Sequence, residues 1–570
     1  MKRWLFLVVC LLPLFSGGAI TLDVGDIKLR GDLPFAPRQV IHGYVECKFW
    51  VENRSATKSH KVDVELFVNR RAQSFITKTV TVPSQARITF SVFVSANMPY
   101  NGRVRAIVDD RAMKESNYSL FNFSSFYKDR VSLLASKSIN QDDLQKEIEN
   151  KHHWSGSDFD DQYQILRSDR LVREWSDNWL AYSSFDGVIV KQSDIEMMSP
   201  TVLAAIRQYV ELGGSLTVLG STTFPFKDLR LKNKKSNYYA IGFGRCFIHK
   251  KGKLKKSDFD YNVWENWVRG FEFKLERGIE QMNKILPVTK STSIPVRGFL
   301  LFVILFAFIA GPLTVFVLSK IKRKIWLLWV LPLESAITCG LVFFYSYFSE
   351  GITPTVQMRE ITLLDQQQHM ASTFGLLGYY CPQRPSKGLV FPVDLELQKV
   401  EKNRVFDQSY LIDWTYKQEL TKGWISARVP AFFICRRSAI RRERLEWSSR
   451  ADGTIEVVNG LGADIKKLWF CDAKGFIHVA DNIKAGEKRV LKPTRTKSHK
   501  NPKDLQEAIL EGFMNAQDWV GDSSQEYLIA RSYIATFDDS PFMEHGLGKQ
   551  KVHLKARGTV FGFLSEEIKP

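Results

Sequence analysis

Two stretches of this chain lack the polar spacing of a soluble fold. Residues 298–319 read GFLLFVILFAFIAGPLTVFVLS, 22 residues without a charge. Residues 325–348 read IWLLWVLPLESAITCGLVFFYSYF, in which Glu334 is the single charge. As a helix the first run spans roughly 33 Å, enough for a hydrocarbon core of about 30 Å. Soluble core helices rarely hold uncharged runs this long, and two in tandem predict a transmembrane hairpin. Gly311, Pro312 and Pro332 fit that reading, because membrane helices tolerate both residue types. The gap between the runs, 320–324, holds Lys320, Lys322, Arg323 and Lys324. The bias of Lys and Arg toward the cytoplasmic side makes this gap the cytoplasmic loop and puts both flanks across the membrane.

The N-terminus carries its own pattern. Lys2 and Arg3 precede an apolar run from Trp4 to Phe15 and then the small residues Ser16, Gly17, Gly18 and Ala19. That order predicts a secretory signal over 1–19, and an uncleaved anchor is the alternative. Either agrees with export of residues 20–297. The expected location is a bacterial inner membrane, with most of the mass outside the cytoplasm.

Between 20 and 125 the pattern shortens to strands. VECKFWVEN (45–53), HKVDVELFVN (60–69), SFITKTVTV (74–82) and RITFSVFV (87–94) alternate in part with period two and are split by polar turns. This spacing predicts a β-sandwich of immunoglobulin-like type. The rhythm changes over 126–260. VSLLA (131–135) predicts a buried strand and QDDLQKEIEN (141–150) a helix. FDGVIV (185–190) is a short apolar strand. Ser199-Pro200 cap a helix carrying Leu203, Ile206 and Val210 at helical spacing. Gly213-Gly214 end it, and SLTVLG (215–220) follows as a strand. Strand, helix, strand at this spacing is a βαβ unit, hence a parallel sheet.

Residues 179–224 resemble the class I glutamine-amidotransferase-like fold, a flavodoxin-like α/β domain, in its run of D-G-strand, helix ending in GG, and strand leading to a nucleophile elbow. In active members the elbow holds a cysteine between glycines. Here Gly220-Ser221-Thr222-Thr223 stand at that place. The resemblance therefore implies the fold with the chemistry lost. A Ser221 nucleophile with His249 as base is the enzymatic alternative, although no G-x-S-x-G frame surrounds Ser221.

Residues 261–286 repeat apolar positions at 264, 267, 268, 271, 275, 279 and 282, a helical stripe. Trp264 and Trp267 suit an interfacial helix on the bilayer, and packing on the neighbouring domain is the other reading. Glu334 falls near mid-depth of the second apolar run. An ionisable group there is costly and is by default a functional candidate, as a neutral acid bonded to Thr338 or to a first-helix carbonyl, or as the contact for a partner subunit. Residues 350–570 read as an exported, mainly β domain. One helix is expected at 504–516 and a strand at 527–537. The β pattern of 454–492 echoes the first sandwich: VEN at 51–53 and VVN at 457–459 each precede a small turn, PSQA and KAGE.

The net charge is +19. With the basic regions facing away from the cytoplasm, nucleic acid is excluded, and anionic lipid or envelope glycan are the fitting polyanions. The clusters at 232–235, 250–256, 436–444 and 492–503 read as solvated loops. Of seven cysteines, none shows CxxC spacing, so neither a disulfide framework nor a zinc site can be read. No paired carboxylates, phosphate-cradling loop or metal constellation emerges, and no cofactor is implied.

The layout resembles a group of bacterial membrane-anchored envelope proteins known by architecture rather than activity. The phrases FDGVIV, AAIRQYVELGGSLTVLG and IAGPLTVFVLSKIKRKIWLLWVLP carry that resemblance. The expected function is a non-catalytic anchor presenting binding modules outside the inner membrane, with the lipid bilayer and other membrane subunits as partners. An exported hydrolase or transferase and a transporter accessory are the alternatives.

Overall fold

The computed structural model describes residues 20–35, 40, 42–67, 75–95, 101–119, 131–152, 163–226, 231–232, 238–253, 279–289, 296–350, 353–400, 410–450, 452–491, 493–497 and 528–565. The signal at 1–19, Trp264, Trp267 and the helix expected at 504–516 lie outside these residues.

The β-branched and aromatic residues of YVECKFWVEN form the strand Tyr44–Asn53, whose buried side chains face a core. It lies between Ile27–Asp32 and Arg87–Ser95 in a four-stranded antiparallel sheet that begins at Ile20–Val24. The opposing sheet contains Phe75–Val82, His60–Phe67, Asn101–Val108 and Ala112–Ser119 in that order. It does not stop there. Beyond Phe75–Val82 it continues through Leu411–Asp413, Gln418–Lys422 and Leu389–Phe391. Leu411, Ile412 and Asp413 run parallel to Phe75, Ile76 and Thr77. The region after the second apolar helix is thus not a self-contained domain. Part of it completes the first sandwich, a pairing that local sequence pattern does not carry.

A separate sheet orders Tyr163–Arg167, Val131–Ala135, Gly187–Lys191, Ser215–Leu219 and Gly244–His249, all parallel, with Tyr238–Ile241 and Leu231–Lys232 added antiparallel. Helix Pro200–Glu211 connects two of these strands. Ser199 Oγ accepts from Val202 N at 3.3 Å and Pro200 takes the first helical position. At its other end Gly214 N reaches Tyr209 O and Gly213 N reaches Val210 O, both at 2.9 Å, with Gly213 at φ +103°. This double bond around a left-handed residue is the Schellman stop that the glycine pair implied.

A nine-stranded central sheet runs Glu396–Lys399, Ala431–Ile440, Met370–Tyr380, Thr355–Asp365, His553–Phe563, Ser532–Phe537, Ile465–Cys471, Phe476–Ile483 and Pro493–Lys497. Over its second half lies the small sheet Arg444–Ser449, Ile455–Gly460 and Lys488–Leu491, which makes a second sandwich. One apolar core is continuous from Leu22 in the first sandwich, through Val188 and Ile206 beside the parallel sheet, to Phe374 and Phe561 in the central sheet.

Two helices are long and apolar enough to cross a membrane, Phe302–Lys320 and Lys324–Phe344. The first contains a π turn at Ile309–Leu313, where Pro312 supplies no N–H and displaces the regular bond. The cationic bend is a Schellman stop too: Lys322 adopts φ +58°, its N–H reaches Ser319 O, and Arg323 N reaches Leu318 O, each at 3.1 Å. Arg323 lies 5.2 Å over the Trp326 ring.

Candidate functional site

Polar side chains converge where the first sandwich, the parallel sheet and the central sheet meet. The chain reaches this seam at Gly43, with φ +73°, where an added Cβ would stand 2.2 Å from Ser183 O. Only glycine admits that approach. Beside it, His42 places Nδ1 2.9 Å from Ser183 O and Nε2 2.9 Å from Asp186 Oδ1. A carbonyl and a carboxylate both accept, so the ring donates from both nitrogens and is an imidazolium. Burial works against that charge, but the Asp186 carboxylate outweighs it by attraction and hydrogen bonding, and the His42 pKa lies above its ordinary value. Asp186 Oδ2 is held by Ser132 N at 2.8 Å.

Tyr44 follows directly. Its hydroxyl donates to Leu397 O at 3.0 Å and accepts from Gln418 Nε2 at 2.8 Å, and so ties the strand Tyr44–Asn53 to Glu396–Lys399 of the central sheet and to Gln418–Lys422. Arg436 donates to Glu396 Oε2 at 2.7 Å and to Leu212 O at 3.1 Å, and lies 5.7 Å over the Trp179 ring. Ser438 Oγ donates to Glu211 Oε2 at 2.6 Å, while Arg207 Nε holds the other oxygen at 2.7 Å. The first part of the basic run 436–444 is therefore strand and seam, not the solvated loop its charge suggested. Sequence reasoning missed His42 because its partners lie more than a hundred residues away, and Arg436 because a run of like charge resembles surface. The only local signal was the Gly43 beside His42.

The elbow position is built otherwise than a nucleophile needs. Gly220, at φ +72°, turns the chain after the strand Ser215–Leu219. Ser221 is buried, and its Oγ donates to Thr223 O at 2.9 Å and accepts from Thr223 N at 3.1 Å. Its link to His249 runs through the backbone, Ser221 N to His249 O at 3.1 Å. Nearby, at the carboxyl ends of the central parallel strands, Asp194 accepts from Ser136 Oγ at 2.5 Å, Ser138 Oγ at 2.6 Å and Lys191 N at 2.9 Å. Open α/β sheets take ligands in the crevice at this edge; here a buried carboxylate with three donors on its Oδ2 stands at that edge.

In the apolar helices Glu334 turns toward its neighbour. Thr314 Oγ1 donates to Glu334 Oε1 at 2.5 Å and also reaches Ile309 O in the π turn at 2.8 Å. The partner is Thr314, not Thr338. Glu334 Oε2 is buried without a hydrogen-bond partner, the geometry of a group that faces the hairpin interior. Lys320, Lys322, Arg323 and Lys324 sit together in the bend. Of the predicted juxtamembrane stripe, the described part is the helix Ile279–Ile285, with Met282 and Leu286 buried in the folded body.

Elsewhere, Glu360 is buried in the central sheet and receives Ser540 Oγ at 2.5 Å and Phe542 N at 3.2 Å. Burial pushes its pKa up to about 8, against those two bonds. Cys47, Cys246, Cys381, Cys435 and Cys471 are buried free thiols. Among the described residues no group of three or more His, Cys, Asp or Glu could hold a metal.

No family model matches the chain, and no curated protein sequence does. Among solved structures it shows similarity to a β-glucosidase from Listeria innocua in complex with glucose, at 11% identity over 17% of this chain and 16% of that one, TM-score 0.13. The yeast delta-COP-I mu-homology domain complexed with a Dsl1 WxWxV peptide is similar over 37% of this chain and 96% of that one, at 10% identity and TM-score 0.18. The exo-chitosanase CsxA of Amycolatopsis orientalis is similar over 34% and 23%, at 12% identity and TM-score 0.13. The chain spans under a fifth of the β-glucosidase, and scores this low bear on neither fold nor function.

Proposed function

We propose that this chain is a non-catalytic, membrane-anchored envelope protein that holds binding or scaffold modules on the outer face of the inner membrane, as a subunit of a larger membrane assembly. One observation carries the reading: Leu411–Asp413, after the apolar helices, pairs with Phe75–Thr77, before them. An open sheet cannot run through a bilayer, because each unpaired backbone group at its edges costs several kcal/mol in lipid. The regions on either side of the apolar pair therefore lie on one side of the membrane, and the pair goes in and returns. The cations at 320–324 support a cytoplasmic bend, and the signal-like start at 1–19 agrees.

The α/β region serves as a spacing module. Numbered along the chain, its parallel strands take the order 2-1-3-4-5, a doubly wound arrangement that supports a flavodoxin-like, amidotransferase-like fold. The absence of cysteine at 220–223 and the engagement of Ser221 Oγ in its own turn support loss of the chemistry. The likeness to the envelope-protein group rests on the same layout.

A topology assay tests the reading. A reporter active only outside the cytoplasm should work when fused after Pro570 and fail when inserted at Lys322, and a cytosolic reporter should do the reverse. An active cytosolic reporter at Pro570 would overturn the proposal.

A further inference from the structure

Register fixes which end of the central sheet the apolar helices leave from. The second apolar helix ends at Glu350, and Thr355 begins the strand that follows. Thr355 pairs with Tyr380 on one side and His553 on the other, and Tyr379 pairs with Ala431. His553 N also donates to Pro354 O at 2.8 Å. The approach to the first apolar helix is clamped at the same end: Gln357 Nε2 donates to Pro287 O, and a Cβ on Gly378 would stand 3.0 Å from Val288 Cγ1.

Three loops share this end: 381–388 after Tyr380, 426–430 before Ala431, and 546–552 before His553. Bonds between Arg428 N and Cys381 O, and between Val390 N and Gly546 O, both 2.7 Å, tie them together. The loops contain Arg384, Lys387, Arg428, Lys549 and Lys551 and no Asp or Glu. All five cations are exposed. Beside them stand two exposed apolar side chains, Val429 at 46% and Leu554 at 42%. The exposed acids Glu280 and Glu544 lie outside these loops.

We propose that this end face rests on the bilayer, with the five cations against anionic lipid headgroups and Val429 and Leu554 set among them. The inference rests on the membrane reading of the hairpin. Cations near an anionic leaflet feel its surface potential only within about a Debye length, roughly 8–10 Å, and the strand starts within a few residues of the helix end. A soluble polyanionic glycan would match the cations but gives Val429 and Leu554 nothing to enter; a lipid surface accounts for both.

The test uses the full chain, with Cys10→Ser and Cys339→Ser, in vesicles of phosphatidylcholine alone or mixed with phosphatidylglycerol. An environment-sensitive fluorophore is placed at Leu554→Cys, or at Gln367→Cys near the opposite end of the same sheet. The probe at 554 should shift to the blue and become several-fold better protected from an aqueous quencher when phosphatidylglycerol is present. The probe at 367 should not respond. Reversing Arg384, Lys387, Arg428, Lys549 and Lys551 to Glu should remove the response at 554 while the chain stays inserted. Equal protection in both vesicles, or a response that survives charge reversal, overturns the proposal. If alkaline carbonate extracts the chain from the vesicles, the hairpin reading has failed, an outcome distinct from loss of the lipid-charge effect in an inserted chain.

Discussion

The two sandwiches are built on one plan and used differently. In the first, Ile27–Asp32, Tyr44–Asn53 and Arg87–Ser95 make one sheet, and the hairpin of His60–Phe67 with Phe75–Val82 lies in the other. In the second, Arg444–Ser449, Ile455–Gly460 and Lys488–Leu491 match the first three, and Ile465–Cys471 with Phe476–Ile483 match the hairpin. A buried asparagine stands in the last two residues of the equivalent strand in each. Asn53 Nδ2 donates to Lys58 O, Val82 O and Pro83 O, and its Oδ1 accepts from Ser55 N. Asn459 Nδ2 donates to Ala463 O, Ile483 O and Lys484 O, and its Oδ1 accepts from Leu461 N. Each backbone N–H of the pair crosses to the residue after a left-handed turn position, Ala86 after Gln85 and Glu487 after Gly486. The surroundings then diverge. The first sandwich borrows strands from the far side of the apolar helices and is bolted to the parallel sheet by His42, whereas the second merges into the central sheet through His553–Phe563. A repeated local device therefore leaves the larger assembly free to vary.

The largest effect should come from the device itself. Asn53→Asp or Asn459→Asp sets a carboxylate against three carbonyl oxygens, and each should cost about 4 kcal/mol in chemical denaturation. Similar losses at both sites support equivalence, and a loss at one site alone breaks it. Next comes the seam that only the first sandwich has. His42→Ala should cost roughly 2 kcal/mol at pH 6, since it leaves Asp186 with one donor fewer. His42 has a raised folded pKa, so its contribution is whole below its ordinary value of 6.5 and fades as pH rises through the folded value. The penalty of the variant should therefore shrink in alkaline solution; a penalty that does not depend on pH argues against an imidazolium.

Glu360 lies in the central sheet that the second sandwich shares. At acid pH, where the folded and unfolded chains both hold this proton, Glu360→Gln should cost only about 1 kcal/mol. The parent's contribution from this acid is complete below 4.5 and is lost as pH climbs through about 8. Because the unfolded chain gives up this proton from about 4.5 upward, the loss accrues between the two values, the variant should overtake the parent well below 8, and a denaturation series across pH 4–9 reads the crossover. Smallest of all, Ser221→Ala breaks bonds confined to one turn. It should shift the melting midpoint by the equivalent of about 1 kcal/mol or less and leave any cellular phenotype intact; loss of the phenotype with folding preserved would revive the hydrolase reading.

Local features were legible in the sequence. VEN with PSQA and VVN with KAGE marked the two asparagine corners, because a buried amide with three carbonyl partners and a left-handed turn narrows the residues allowed. Ser199-Pro200 and Gly213-Gly214 marked both ends of one helix for the same reason. The apolar runs at 298–319 and 325–348 stood out by length. The seam did not. His42, Arg436 and Tyr44 find their partners across three sheets, and nothing within a window around any of them records it. The borrowed strands at 389–422 were hidden likewise, as short segments whose pairing depends on an edge laid down far earlier in the chain.

That borrowed edge bears on how the molecule is made. During vectorial synthesis the strand Phe75–Val82 emerges with its outer hydrogen-bonding groups open and meets Leu411–Asp413 only after the whole apolar pair has been produced. Until then the early part of the chain is an incomplete sheet with a sticky margin. Release of a nascent chain stalled within the apolar pair should yield fragments that clump or recruit chaperones, and correct delivery of the helices becomes a precondition for finishing a sheet begun some three hundred residues before.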